Sequence, residues 1–423
     1  MLHEVRTITP HDLTHRAFIL KRGMETIKRN QRVPRFHATF CCVSNTLNCV
    51  FEFMCLKRAI NVTVEPHEIV VNIGHRKWHL TFSDIILQTE TCRGLKWHPT
   101  NELQFSIKGQ PTESSKTDIS LQQKCSRQND IVELIQKLQN KWYCGNCHQK
   151  ILADWSIFNR VLPLPSENWS DYADMWFCHN HGNQDSSSDK QRKLLPKTRE
   201  CFVGETFVLV AGQHVQDSSI KVKKRGSIVC RRCSIQLGVV ETENKTESVY
   251  KFYQHAILIK DLEFEDLIQL QRTVSPSERL DNFFNQLLQE QSNTYTSYRF
   301  IIESKPLDDT EQLSTCLLWL LDSNIEMYTS DYNTDTILTG YSICKVMFKC
   351  QLSTSNKTRN PDYVTKSLIS LWRKDNTVHG FTLPHPLFLQ LINRLIEHCK
   401  ILPVSQRYLN GFHVSFLNTS PVS

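Results

Sequence analysis

No run of about 18 consecutive apolar residues occurs anywhere in the chain, which argues against a transmembrane helix. The N-terminus, MLHEVRTITPHDLTHRAF, lacks the apolar core of a secretory signal. The C-terminal part carries no phosphate loop, no His-Glu-x-x-His and no dinucleotide fingerprint. No aromatic-basic platform repeats along the chain, and its net charge of +7 gathers at one end: residues 1–36 hold eight basic against three acidic residues. The body is nearly neutral, so direct nucleic-acid binding is not expected. The leader 1–36 reads as a basic, flexible arm that can touch polyanions. No membrane partner is expected, and the compartment read from these absences is cytoplasmic, with the nucleus also open.

What is present starts with size. A chain of 423 residues with 40% apolar and 22% charged residues can bury large cores and suggests two or three domains. Sixteen cysteines in a reducing compartment point to metal binding, catalysis or plain burial rather than to disulfides.

Past the leader the pattern is that of strands. EIVVNIG (Glu68 to Gly74), KWHLTF (Lys77 to Phe82) and LQFSIKG (Leu103 to Gly109) are short, rich in β-branched and aromatic residues, and bounded by glycine or polar turns. The period then changes in DIVELIQKLQNKW, where Ile131, Leu134, Ile135 and Leu138 share one helical face. Four segments follow: the leader 1–36, an N-terminal β-domain with a linking helix at 37–140, a metal-binding β-domain at 141–260 with a long loop at 162–200, and an α+β domain at 261–423. In the last, SPSERLDNFFNQLLQEQ offers Ser275 as N-cap, Pro276 in the first turn and Glu278 three residues after the cap. PLFLQLINRLIEHCKILP reads as a helix, and YLNGFHVSFL as a hairpin turning at Asn410-Gly411.

The strongest chemistry lies in the middle. WYCGNCHQKI places Cys144 and Cys147 two residues apart, and SIVCRRCSIQLG repeats the spacing at Cys230 and Cys233. Each Cys-x-x-Cys can fold as a knuckle whose thiolates converge on one cation, and two knuckles complete the tetrahedron that Zn²⁺ prefers. Zinc suits sulfur better than magnesium or calcium does. With 82 residues separating Cys147 from Cys230, the metal would clamp two distant hairpins. Four thiolates leave no open position for water, so one structural zinc is expected.

Inside that interval LPLPSENWSDYADMWFCHNHG breaks the strand pattern with Pro163 and Pro165 and is followed by the Ser/Asp/Lys-rich GNQDSSSDKQRK, which reads as disordered. A loop anchored on a rigid scaffold is a frequent place for function.

YCGNC, RVLPLPSENW, the Trp-Phe-Cys-His cluster, CFVGETFVLV, VCRRCSIQLG, LLWLLDSN and LISLWRKD together resemble the HECT-like ubiquitin-protein ligase family that binds ubiquitin-conjugating enzymes. The resemblance runs from about residue 40 to about residue 420 and leaves the leader outside. It implies ubiquitin as cargo, a ubiquitin-conjugating enzyme as partner with contacts just beyond SVYKFYQHAILIKD, and cyclin B-type substrates marked for proteasomal degradation. It also implies a second role, in which the protein binds and blocks the zinc-dependent endonuclease subunit of the pre-mRNA cleavage and polyadenylation machinery. The fold class is then α+β, with β-rich N-terminal and zinc-clamped middle domains followed by an α+β HECT-like C-terminal domain.

A thioester-forming ligase needs an exposed thiol of depressed pKa. In HECT ligases that cysteine follows a threonine near the C-terminus, and the Thr-Cys pairs here are Thr91-Cys92 and Thr315-Cys316. Cys92 has Arg93 and Lys96 nearby, Cys316 precedes the apolar run Leu317–Leu321, and Cys399 shares a helix face with Phe388, Leu391, Ile392, Leu395 and Ile396. The catalytic cysteine is therefore not assigned, with Cys316, Cys399 and Cys92 as candidates. Cys178, beside His179 and near His181, admits three readings: part of a second zinc site, a packed loop cysteine, or a thiolate lent to a partner's catalytic zinc. In the last reading Trp169, Trp176 and Phe177 join Cys178, His179 and His181 as the partner-binding surface. Cys178→Ala that leaves endonuclease binding unchanged would discard it.

Overall fold

The computed structural model describes residues 17–20, 35–53, 60–112, 123–164, 195–223, 226–243, 248–261, 276–304, 313–330, 335–352 and 363–419. Strands dominate, and the chain is α+β. It divides into two compact units, one of residues 1–118, 320–348 and 395–420, the other of 119–319, 349–394 and 421–423. The four consecutive segments read from the sequence do not map onto these units, because C-terminal strands add to the N-terminal sheets by pairing across long sequence separations.

The first unit holds two sheets. Arg35–Cys41 pairs antiparallel with Thr46–Glu52, which pairs with Glu102–Pro111, which pairs with the long bulged strand Ile85–His98. On its other side Arg35–Cys41 takes residues 325–330 as an antiparallel neighbour. The second sheet runs in the order Ala17–Leu20, Ile60–Val64, Glu68–Ile73, Arg76–Phe82 and Asp335–Leu338. Alternation drives both: Phe36, Ala38 and Phe40 face inward, as do Ile69 and Val71, in one cluster where the Phe36 and Phe51 rings lie 4.8 Å apart. The three strands read from the sequence here all form. The leader is not an arm throughout: Ala17–Leu20 pairs with the edge of Ile60–Val64, and Arg35 and Phe36 open a central strand. The physical reason is that an unpaired strand edge presents backbone groups that a short apolar run such as AFIL can satisfy.

The second unit carries a seven-stranded sheet in the order Arg160–Pro163, Glu200–Val203, Phe207–Ala211, Ser248–Tyr253, Gln236–Glu243, Ser227–Cys230 and Ile220–Val222. Pro163 sits on the edge strand, where its missing N–H removes no central bond. The strand Arg160–Pro163 runs parallel to Glu200–Val203, so the intervening chain leaves at the Pro163 end of the pair and returns at the opposite end, at Glu200. Residues 165–194 of that loop lie outside the described residues, and with them Trp169, Trp176, Phe177, Cys178, His179 and His181.

Four helices are described. Helix α1 (Gln123–Leu138) buries Ile135 fully but leaves Leu134 38% exposed, so its expected apolar face is only partly covered. Helix α2 (Pro276–Tyr295) buries Phe284 and Leu288 and begins with Pro276 in the first turn. Helix α3 (Tyr363–Arg373) adjoins the strands Arg299–Ser304 and Val378–Thr382 and buries Thr365, Ile369 and Trp372 at helical spacing. Helix α4 (His385–Ile401) buries Phe388, Leu391, Ile392 and Leu395, while Ile396 is exposed. The hairpin Tyr408–Leu409 to Phe412–Asn418 turns through Asn410 and Gly411, both at positive φ (50° and 85°) as a two-residue primed turn requires.

Candidate metal centre

Two turns with the same construction meet in the second unit. In the first, Trp142–Cys144 is a short strand paired with Ile257–Ile259, the Cys144 N–H donates to the Gln149 carbonyl at 2.8 Å, and the His148 N–H donates back to the Cys144 carbonyl at 2.9 Å. In the second, which follows Ser227–Cys230 of the seven-stranded sheet, the Cys230 N–H donates to Ile235 and the Ser234 N–H to Cys230, both at 2.9 Å. His148 and Ser234 occupy the corresponding place in each turn and share a left-handed backbone, φ 56° and 60°. That conformation costs a non-glycine residue about 1 kcal/mol or more and persists where the surroundings over-determine it.

The turns bring Cys144, Cys147, Cys230 and Cys233 together with all four sulfurs within 4.8 Å of one another. Cys144 Sγ lies 3.6 Å from Cys233 Sγ, and Cys147 Sγ 3.5 Å from Cys230 Sγ. A tetrahedral ion with metal–sulfur bonds of about 2.3 Å sets its sulfurs about 3.8 Å apart, so the donor set and the spacing fit one such ion. Burial pushes the Cys144 thiol up and the Cys147 thiol up to about 11. Burial also opposes ionisation of Cys233, but the Ile235 N–H, Asn146 and the neighbouring thiols outweigh it and bring this thiol down to about 7. Metal binding would displace the remaining protons. The two stems belong to different sheets, so the sulfur cluster ties the Trp142–Cys144 ribbon to the seven-stranded sheet.

The other thiols separate by environment. Cys316 is fully buried on an inner strand and burial holds its pKa well above the usual thiol value. Cys399 is buried on α4 and its thiol is pushed up by burial. Cys92 is half-buried against the core of the first unit. The sequence reading left out Cys41, the last residue of the strand Arg35–Cys41, whose thiol is lowered first by the Ser44 side chain and then by the Ser44 backbone. A serine three residues after a cysteine in a tight turn is the signal that was there to be read.

Beside the first knuckle lies a cavity of about 310 Å³, lined by Ile131 and Leu134 of α1, Ile257 and Ile259, and Arg279 and Phe283 of α2. Arg279 reaches from the cavity wall to the knuckle and donates from Nη2 to the Gly145 carbonyl. His255 lines the same cavity and stays neutral, its pKa lowered to about 3 by burial and then by Arg279. No described helix is long and apolar enough to cross a membrane.

The profile of HECT-like ubiquitin-conjugating enzyme (E2)-binding proteins matches residues 45–414. The chain is 28% identical over 369 residues to a mouse protein named as an E3 ubiquitin-protein ligase, covering 85% of this chain and 90% of that one. The human protein of the same name is 28% identical over 368 residues, covering 79% and 85%. An uncharacterized protein of Saccharomyces cerevisiae is 27% identical over 115 residues, 26% of this chain and 31% of that one. No solved structure matches.

Proposed function

The chain belongs to the HECT-like ubiquitin-conjugating enzyme (E2)-binding family, and from that premise we propose that it is a ubiquitin-protein ligase that engages a ubiquitin-charged E2 and promotes transfer of ubiquitin to protein substrates. The observation that carries this reading is the match over residues 45–414, supported by relatives named as E3 ligases over nearly their whole length.

The chemistry asked of such a protein is limited. The E2 carries ubiquitin as a thioester; a lysine amine of the substrate attacks its carbonyl carbon, the carbon–sulfur bond breaks, an amide forms, and the E2 recovers its thiol. A ligase contributes mainly by holding the partners in line. Passage of ubiquitin through a cysteine of this chain would need an accessible, activated thiol. The burial of Cys316 and Cys399 therefore favours direct attack on the E2 thioester over residence on either residue.

The test is single-turnover discharge of charged E2s onto free lysine and onto protein, followed on non-reducing gels. Faster discharge with no ubiquitin adduct on this chain is the expected result. A chain that neither binds nor discharges any E2 would overturn the reading, and a reducible ubiquitin adduct lost in Cys316→Ala or Cys399→Ala would overturn the direct route.

The metal belongs to the same proposal. Cys144, Cys147, Cys230 and Cys233 would hold one zinc ion, which supplies folding free energy as a closed four-sulfur cross-link and takes no part in transfer. Native mass spectrometry should find one zinc per chain, with Cys230→Ser losing it; a folded, metal-free wild type counts against it. Cyclin-type substrates and the endonuclease partner are finer proposals of the same family resemblance, the second tested by Cys178→Ala.

A further inference from the structure

One divalent ion bound by four thiolates carries a net charge of −2. Cys144 and Cys230 are buried, and Cys147 and Cys233 half-buried, so water cannot fully screen that charge. A partly buried anion of this kind needs nearby cations or donors to be tolerated.

Two arginines answer that need, from different elements. Arg279 stands in the first turn of α2 and donates from Nη2 to the carbonyl of Gly145, the residue after Cys144. Arg232 stands between the cysteines of the second knuckle and reaches across to the first, its Nη1 3.4 Å from the Cys147 carbonyl. Neither pairs with a carboxylate among the described residues. The case is sharper for Arg279, which is only partly exposed and whose Nε, buried, has no hydrogen-bond partner. A half-buried guanidinium with no carboxylate among the described residues lacks a counter-charge, and the loaded sulfur cluster beside Gly145 would supply one. The backbone leaves room for the contact: a Cβ on residue 145 would sit 3.2 Å from Arg279 Nη2 and 3.0 Å from the Ala256 carbonyl oxygen, so glycine lets the guanidinium close on the turn. Arg231, the other arginine of the second knuckle, instead bonds the Asp217 carbonyl at 2.9 Å.

We propose that Arg279, assisted by Arg232, is the counter-ion of the four-thiolate metal centre. The pair brings +2 against the −2 of the loaded site and fastens the first turn of α2 to the first knuckle. Metal retention and the position of the α2 wall of the neighbouring cavity are thereby linked. The inference rests on the zinc reading above.

The experiment is release of zinc from the full-length, zinc-loaded chain to a chromogenic chelator at fixed pH and salt. Loss of a partner in the layer around a metal site typically costs about 10-fold or more in metal affinity, so R279Q should release zinc about 10-fold faster than wild type. R232Q, an exposed and screened site, should show a smaller acceleration. R279K keeps the charge but not the planar guanidinium geometry and should fall between wild type and R279Q. R231Q, which removes equal charge from a bond made elsewhere, should release at the wild-type rate. Where R279Q does not fold by far-UV circular dichroism, R279K and R232Q carry the test. Wild-type release from R279Q, from R279K and R232Q together, or equal acceleration in R231Q and R279Q, overturns the proposal. A wild-type chain that holds no zinc removes the metal reading itself, whereas zinc held alike by wild type and R279Q removes only the counter-ion role.

Discussion

His37 sits fully buried in the strand Arg35–Cys41, with neither ring nitrogen hydrogen-bonded. Burial, then Arg35, then Lys345 lower its pKa to about 3. In the unfolded chain the same ring titrates near 6.5, so between those values the unfolded state binds a proton that the folded state does not. The stability this histidine permits is whole above about pH 6.5 and is lost progressively as pH falls towards about 3. Linkage puts the loss between about pH 7 and pH 5 at about 2 kcal/mol. Urea unfolding at the two pH values should show it, and His37→Leu should flatten the difference; an unchanged slope would assign the acid sensitivity to other groups. At this scale the four clustered cysteines were legible, because Cys-x-x-Cys spacing is local. Arg279 was not: it lies 134 positions along the chain from Gly145, and no local pattern marks an arginine that bonds a distant carbonyl.

At the scale of elements, period and turn chemistry carried the reading. Glu68–Ile73, Arg76–Phe82 and the Asn410-Gly411 hairpin were legible because alternation and positive-φ residues are written in consecutive positions. Arg160–Pro163 was legible only as the end of a longer alternating stretch that breaks at Pro163, and the pairing with Glu200–Val203 fixes its four residues as the strand. The contact of α2 with α4 depends on a buried bidentate pair. Arg394 donates to both carboxylate oxygens of Asp281 at 2.8 and 2.7 Å, and Asp281 is fully buried. Arg394→Met fills similar volume but leaves the carboxylate without its guanidinium, and a loss of about 3–5 kcal/mol in chemical denaturation is expected. A loss under about 1 kcal/mol would mean that the pair is replaceable by apolar packing.

On the scale of the whole molecule, the four-cysteine cluster and the phenylalanine-rich core lie in different units. Structural zinc contributes on the order of 10 kcal/mol of apparent folding free energy, comparable to the whole stability of a domain. Chelation should therefore abolish amide-exchange protection in Trp142–Cys144 and Ser227–Cys230 while Arg35–Cys41 and Thr46–Glu52 keep theirs. Uniform loss of protection would show the two units to be one cooperative body, and no loss would show that the sheets hold without the ion.

The sequence by itself determined the strand-rich α+β class, the knuckle pairs and the family, because these depend on residue types at short, fixed spacings. Tertiary structure decided which strands share a sheet, that residues 325–330 and 335–338 complete N-terminal sheets, and that two arginines bond the Gly145 and Cys147 carbonyls of the first knuckle. Those outcomes are set by burial and by backbone and charge complementarity between residues far apart in the chain, and adjacent residues do not encode them.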